Sequence, residues 1–174
     1  MKKRVAVAAI VLALLALCGA AFAEEPAAPP AEKYGSAVGD KLKPFKLNEP
    51  VLNKSFELKD LADGKKDAAL IFMQTACTLC VNEVTEFAGA KDEIDEKLGV
   101  ALVSVDFDAK RISPYKEAYK VPFPILHDGD AAVLESAGFK STPAIIVVDS
   151  KGIIKKRIEG YDRLELKNIL KAYK

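Results

Sequence analysis

Apolar residues along this chain form short continuous runs alternating with stretches of helical spacing. Ala69-Leu70-Ile71-Phe72-Met73, Val100 to Val105 and Ala144 to Val148 are short apolar runs, which predicts buried strands. Phe123 to Leu126, bracketed by prolines, predicts a short extended segment. Ile153 to Ile158 follows the turn Asp149-Ser150-Lys151-Gly152 and reads as the hairpin partner of the strand before it. Between the strands the period changes. Val81, Val84 and Phe87 recur at helical spacing, predicting a helix to about Ala90, or on through Ile94 and Leu98 until Gly99 stops it. Ser113 as a cap with Pro114 at the first helical position predicts a helix over Tyr115 to Tyr119. Asp130 is expected to cap a helix through Ala137 that Gly138 ends, and Asp162 a last helix with Leu164, Leu166, Ile169, Leu170 and Tyr173 on its apolar side. Upstream, Val38, Leu42, Phe45, Leu47, Val51, Phe56, Leu58 and Leu61 are spaced by polar residues, which predicts an N-terminal β-hairpin turning near Asn53-Lys54-Ser55. After that hairpin the order β-α-β-α-β-α-β-β-α predicts an α/β fold, a central mixed β-sheet flanked by helices. Lys155-Lys156-Arg157 reads as a solvated hairpin edge.

The first residues do not belong to that pattern. Lys2-Lys3-Arg4 precedes the apolar stretch Val5 to Leu17, and Ala21-Phe22-Ala23 fits a cleavage site, so residues 1–23 read as a signal peptide. Two rival readings exist. Cys18 would suit a lipoprotein, but Leu17 stands where a small residue is usual; an uncleaved anchor is the other, since Val5 to Phe22 is near the roughly 17–25 residues that span a bilayer. Cleavage leaves 151 of the 174 residues. The Pro- and Ala-rich residues 24–36 read as a disordered linker, and residues 37–174 as one domain. The expected location is exported and periplasmic, or membrane-anchored facing the periplasm.

Charge and cysteine count narrow the chemistry. Without Lys2, Lys3 and Arg4 the chain has 23 basic and 25 acidic residues, no electrostatic footprint for nucleic acid. Cys77 and Cys80 are then its only cysteines, in a compartment where thiols do not persist by default. They stand where the strand Ala69 to Met73 hands over to a helix. The dipole and free N–H groups of a helix N-terminus lower the pKa of a cysteine held there. Cys77 as nucleophile and Cys80 as resolving thiol could run disulfide exchange; a structural disulfide or half a zinc site would use the same pair. Zinc needs two more N or S ligands, and the mature chain offers only His127. Glu83, three residues after Cys80 on the same helical face, could pass protons to the inner thiol if buried, or be an exposed carboxylate like Glu86. Pro143 opens a strand, where proline is tolerated.

Together, Val38-Gly39-Asp40 with Pro44-Phe45, Cys77-Thr78-Leu79-Cys80, Glu83, Phe123-Pro124-Ile125-Leu126, Ser141-Thr142-Pro143-Ala144 and Asp149-Ser150-Lys151-Gly152 resemble the thioredoxin superfamily. The likeness is to the exported TlpA-like thiol-disulfide oxidoreductases that grade into the redoxin and peroxiredoxin group, and covers about Val38 to Tyr173. It implies a thioredoxin-like domain with an N-terminal β-hairpin extension and a cis Pro143 facing the cysteines. It further implies that Thr142 and Pro143, with Ala76, Thr78 and Leu79, contact substrate, and that Glu83 transfers protons. The redox-active disulfide is then the only cofactor, with no metal. Partners implied are protein dithiols or disulfides, such as the haem-site disulfide of an apocytochrome c, and a membrane thiol-electron donor; the protein is expected to be a monomer.

The resemblance has departures. Ala76 replaces the usual tryptophan, Leu79 the common proline, and Ile71 the buried aspartate of thioredoxin. Thr78-Leu79 lacks the histidine of the strong oxidants, which favours a reductant. Two alternatives remain. A peroxiredoxin-type peroxidase carries P-x-x-x-T-x-x-C, but Leu70 and Gln74 stand at its proline and threonine positions. A non-catalytic binding module or metal carrier would use His127, which reads instead as a loop or strand-end residue.

Overall fold

The computed structural model describes residues 32–63, 65, 67–94 and 96–174; the expected signal peptide and the linker through residue 31 lie outside them. Strand β1 (Lys46–Glu49) pairs antiparallel with β2 (Lys54–Glu57), Leu47 opposite Phe56, forming the expected hairpin. Leu58 and Leu61 do not continue it. They belong to a short helix α1 (Leu58–Ala62), whose first turn is closed by the N–H of Glu57 donating to Asp60 at 2.7 Å.

Strand β3 (Asp67–Met73) is buried along its whole length and leads into α2 (Thr78–Gly89). That helix ends at Gly89 and restarts as a single turn, α3 (Lys91–Ile94). Leu98 opens β4 (Leu98–Ser104) instead of extending a helix. The chain then passes through a 3-10 turn, Ala109–Arg111, into α4 (Ile112–Ala118). The cap of this region is Asp108, which accepts the Lys110 N–H at 3.0 Å, and not Ser113. Pro114 is harmless inside the first turn, whose N–H groups lack intrahelical acceptors.

After β5 (Ile125–His127) comes α5 (Ala132–Ser136), and here too the capping residue differs from expectation. The Asp128 carboxylate accepts the N–H groups of Val133 and Leu134 at 3.0–3.2 Å, whereas Asp130 takes only Ala132 at 3.3 Å. Gly138, at φ +76°, ends the helix: its N–H donates to Glu135 and that of Phe139 to Leu134, closing the turn as a Schellman motif. Strands β6 (Ala144–Asp149) and β7 (Ile154–Glu159) form the second hairpin. Helix α6 (Arg163–Ala172) follows, and Asp162 caps it as expected, taking the N–H groups of Leu164 and Glu165.

The seven strands form one sheet in the order β2-β1-β5-β4-β3-β6-β7. The central β5, β4 and β3 are parallel and the outer strands antiparallel, so the sheet is mixed, as expected. Alternation in β3 builds two cores. Ala69, Ile71 and Met73 pack with Phe87, Leu102, Ile112 and Ile169 on the face carrying α2, α4 and α6. Ala68, Leu70 and Phe72 pack with Leu61, Val103, Leu134 and Phe139 on the face carrying α1 and α5. Each such aliphatic or aromatic side chain contributes about 1.5–3 kcal/mol by leaving water. Gly99 records how closely the layers approach, since a Cβ there would lie 1.8 Å from the carbonyl oxygen of Leu61.

The basic run lies on the edge strand β7, as expected, but its charges are partnered and not simply solvated. Lys155 Nζ lies 2.8 Å from the buried Asp67, and Lys156 pairs with Glu165. The Arg157 guanidinium stacks 4.1 Å over the Phe139 ring and donates to the carbonyls of Ser36 and Ala137. Long basic side chains bury their stems while the charged heads find partners, a possibility that local sequence does not display. No helix among the described residues is long and apolar enough to cross a membrane.

Candidate active site

Strand β3 ends at Met73, and after three intervening residues the chain reaches Cys77, the N-cap of α2. Cys77 and Cys80 are joined in a disulfide with Cα atoms 5.2 Å apart. The Cys77 sulfur accepts the Cys80 N–H at 3.1 Å, and the Val81 N–H donates to the Cys77 carbonyl at 3.2 Å. The two cysteines are unequal: Cys80 is fully buried in the core beneath the sheet, while Cys77 is half-buried. Once the bond is reduced, a sulfur held at a helix N-terminus by a backbone N–H favours the thiolate. Ala76, which precedes Cys77, and Thr78 and Leu79, which separate the two cysteines, are exposed.

Helical geometry places Glu83 one turn beyond Cys80 on the same face. Its side chain has no exposure, and neither carboxylate oxygen has a hydrogen-bond partner among the described residues. Burial pushes its carboxyl up to about 8, and the neighbouring Glu86 carboxylate adds to the shift. Glu86 is different. It lies nearer the surface, where the Tyr161 hydroxyl donates to it at 2.7 Å and Arg163 Nε lies 3.2 Å away.

The Thr142–Pro143 peptide is cis. Strand β6 starts just after it, with Ala144 opposite Phe72 in an antiparallel register, so the turn carrying Thr142 and Pro143 lies at the edge of the sheet where β3 delivers the cysteines. The Pro143 carbonyl accepts the Gly160 N–H at 2.9 Å, tying this turn to the end of β7.

One acidic residue at this edge escaped the reading of the sequence. Asp106 follows β4, the parallel neighbour of β3, and is buried. Its carboxylate accepts the Thr75 N–H at 2.8 Å, the Thr75 hydroxyl at 3.0 Å and the Ser104 hydroxyl at 2.8 Å. The loop entering Cys77 is thereby clamped to the end of β4. His127, the last residue of β5, sets its Nε2 2.8 Å from the Asp106 carbonyl oxygen. The available signal was an aspartate closing a buried run, Ser104-Val105-Asp106, but its importance depends on the pairing of β3 with β4. Nearby, burial pushes the Tyr115 hydroxyl up to about 12, with Tyr119 and Asp106 adding to it.

Comparison with known proteins places this geometry. Thiol-disulfide oxidoreductase ResA of Oceanobacillus iheyensis is 29% identical over 136 residues, covering 74% of this chain and 69% of that protein. The thioredoxin domain of thiol-disulfide oxidoreductase BVU-2223 from Bacteroides vulgatus superposes with a TM-score of 0.67 at 22% identity, covering 79% of this chain and 99% of that one. Peroxidoxin BcpB from Mycobacterium tuberculosis gives 0.68 at 18% identity, covering 79% and 97%. These solved structures show that the fold is thioredoxin-like. The sequence pattern of the AhpC/TSA family matches residues 38–157, most of the chain and all of the cysteine site, and the chain therefore belongs to the AhpC/TSA redoxin family.

Proposed function

We propose that this protein is an exported thiol-disulfide oxidoreductase that reduces disulfides in protein substrates. The observation that carries the reading is the Cys77–Cys80 disulfide at the N-terminus of α2, one turn before a buried carboxyl with no hydrogen-bond partner among the described residues. In the reducing direction the dithiol supplies two electrons. The Cys77 thiolate attacks one sulfur of the substrate disulfide; that S–S bond breaks, a bond between Cys77 and the substrate forms, and the released substrate thiolate takes a proton. Cys80 then passes its proton to the Glu83 carboxylate and attacks the Cys77 sulfur. The mixed disulfide breaks, the internal one forms, and the second substrate thiolate takes a proton. A carboxyl titrating near 8 exchanges that proton at little cost around neutral pH.

In this reading Ala76, Thr78 and Leu79 meet the substrate around Cys77, and backbone at Thr142 and Pro143 pairs with an extended substrate strand. The redox-active disulfide is the only cofactor, and a membrane dithiol carrier reduces it back to the dithiol after each turnover, being oxidised to its own disulfide. The working unit is a monomeric domain, residues 37–174, placed in the periplasm behind a signal peptide and linker, and the haem-site disulfide of an apocytochrome c is a fitting substrate. The test is insulin-disulfide reduction together with the redox potential. Wild type should be active with a potential toward the thioredoxin value of about −270 mV, not the DsbA value of about −120 mV. Cys77→Ser should abolish activity, and Glu83→Gln should slow the resolving step. Full activity in Cys77→Ser ends the proposal.

A second reading, a thiol peroxidase, draws support from the AhpC/TSA match and the likeness to the BcpB peroxidoxin fold. Stopped-flow mixing of reduced protein with hydrogen peroxide separates the two. Fast second-order loss of the Cys77 thiol would favour the peroxidase.

A further inference from the structure

Beside the disulfide the surface carries a charged groove that the exchange chemistry does not use. It is a shallow depression, wide open to solvent, lined by Thr75, Lys110, Arg111, Pro114 and Tyr115. Thr75 belongs to the loop that enters Cys77, so the groove begins two residues from the outer sulfur. The charged side chains lining it are both cationic. Asp108, on the same turn, folds its carboxylate back onto the Lys110 N–H, and Asp106 is buried under Thr75 and Ser104. Arg111 reaches Asp106 only at 4.0 Å and is mostly exposed.

Two apolar side chains also stand out of the surface here. Phe107 is 93% exposed, immediately after the aspartate that clamps Thr75, and Leu79 is 50% exposed between the cysteines. Isolated exposed apolar residues are ordinary. Phe107 follows the aspartate clamped to Thr75, Leu79 follows Cys77 by two residues, and Thr75 lines the cationic depression, so chain connectivity gathers an aromatic anchor, an apolar side chain and positive charge around the entrance to Cys77, the usual composition of a recognition surface.

Resting on the disulfide-exchange reading above, we propose that this face selects its substrate: an extended polypeptide disulfide with an acidic side chain beside the attacked cysteine. The acid enters the Lys110–Arg111 groove, and an apolar neighbour covers Phe107 and Leu79. The electrostatic part acts mainly on the rate of encounter, so its signature is a salt-sensitive preference among substrates of equal intrinsic reactivity.

The experiment uses the full chain, reduced with dithiothreitol and desalted, and three disulfides. Two are model peptides identical except for glutamates or lysines flanking the disulfide; the third is bis(2-hydroxyethyl) disulfide, too small and uncharged to reach the groove. Each peptide rate is divided by the rate of the same protein with the small disulfide, which removes any change in the thiols themselves. Wild type should prefer the glutamate peptide by roughly tenfold at low salt, with the preference shrinking in 0.5 M NaCl. Lys110→Glu, and more strongly Lys110→Glu with Arg111→Glu, should abolish or invert it. Phe107→Ser should lower the normalised rates of both peptides by about fivefold without changing their ratio. Equal normalised rates for both peptides in wild type, or a preference that survives charge reversal, overturn the proposal while leaving disulfide exchange intact. Failure to react with all three disulfides defeats the exchange reading, and this proposal with it.

Discussion

Glu83 is the residue whose environment makes the sharpest prediction. Its carboxyl titrates near 8 in the fold and near 4.5 as a free side chain, so the folded state holds the proton more tightly. The stabilisation this gives is complete below about pH 4.5 and is lost as pH rises through 8. Guanidinium midpoints of the oxidised protein should therefore fall across that window by the equivalent of a few kcal/mol. Glu83→Gln, which keeps the shape and removes the titration, should flatten the decline. Asp106 offers a second test. Asp106→Ala removes the acceptor for the Thr75 N–H and the Ser104 hydroxyl, and should cost about 2 kcal/mol of stability for the unpaired groups. It should also shift the pKa of the Cys77 thiol, read by ultraviolet absorbance of the thiolate, because the loop entering that cysteine loses its clamp. At this scale the sequence was informative wherever function is local. Cys77 and Cys80 could be singled out by their spacing at a strand-helix junction, and Glu83 because helical spacing sets it on the face of Cys80 and the family resemblance gives that position a role. Asp106 could not, because its meaning comes from a strand 31 residues away from the loop it holds.

Among the elements, the strands were legible and several helix starts were not. Runs such as Ala69 to Met73 announce a strand buried on both faces, because a run this short between charged and polar flanks is too brief for a buried helix. The start of α5 was misplaced since Asp128 and Asp130 are both plausible caps, and the choice is made by Ala131 adopting a left-handed conformation at φ 58°. Leu58 and Leu61, three apart, share a face only in a helix, a pair too short to announce one in the sequence, and packing of Leu61 against β4 at Gly99 fixes it as α1. The N-terminal hairpin is fastened to the domain by a pair whose partners lie 67 residues apart, Lys116 Nζ on α4 at 2.7 Å from the buried Glu49. Burial acts against the Glu49 charge, but Lys116 and the Leu52 N–H outweigh it and hold the carboxyl below its usual range. Lys116→Met should cost about 3 kcal/mol by leaving that carboxylate buried without its cation. Glu49→Gln combined with Lys116→Met should recover much of the loss, measured by urea denaturation.

For the molecule as a whole, the direction of electron flow is a statement about stability. Folding and reduction form a closed cycle, so the form that is more stable toward unfolding is the form the fold favours. A reductant must favour its own disulfide. The oxidised protein should then unfold at a higher guanidinium concentration than the reduced protein, and the reverse order would mark an oxidant. Nothing in Thr78-Leu79 alone sets that balance, which is why the fold and the reacting atoms could be read from the sequence and the sign of the reaction could not.

The outer strands bear on what such a molecule must avoid. If its substrates are the unfolded polypeptides of the proposed function, the protein meets segments ready to pair with any open ladder, and its sheet has two margins, β2 and β7. The first carries Lys54 and Glu57; the second is interrupted by a register shift at Val147 and Val148 and crowded by Lys155, Lys156 and Arg157. These margins discourage a visiting strand from adding itself to the sheet. On the exchange reading proposed above, clients are left the turn at Pro143, and the side chains that fasten β7 to the core also keep the protein from aggregating with its own substrates.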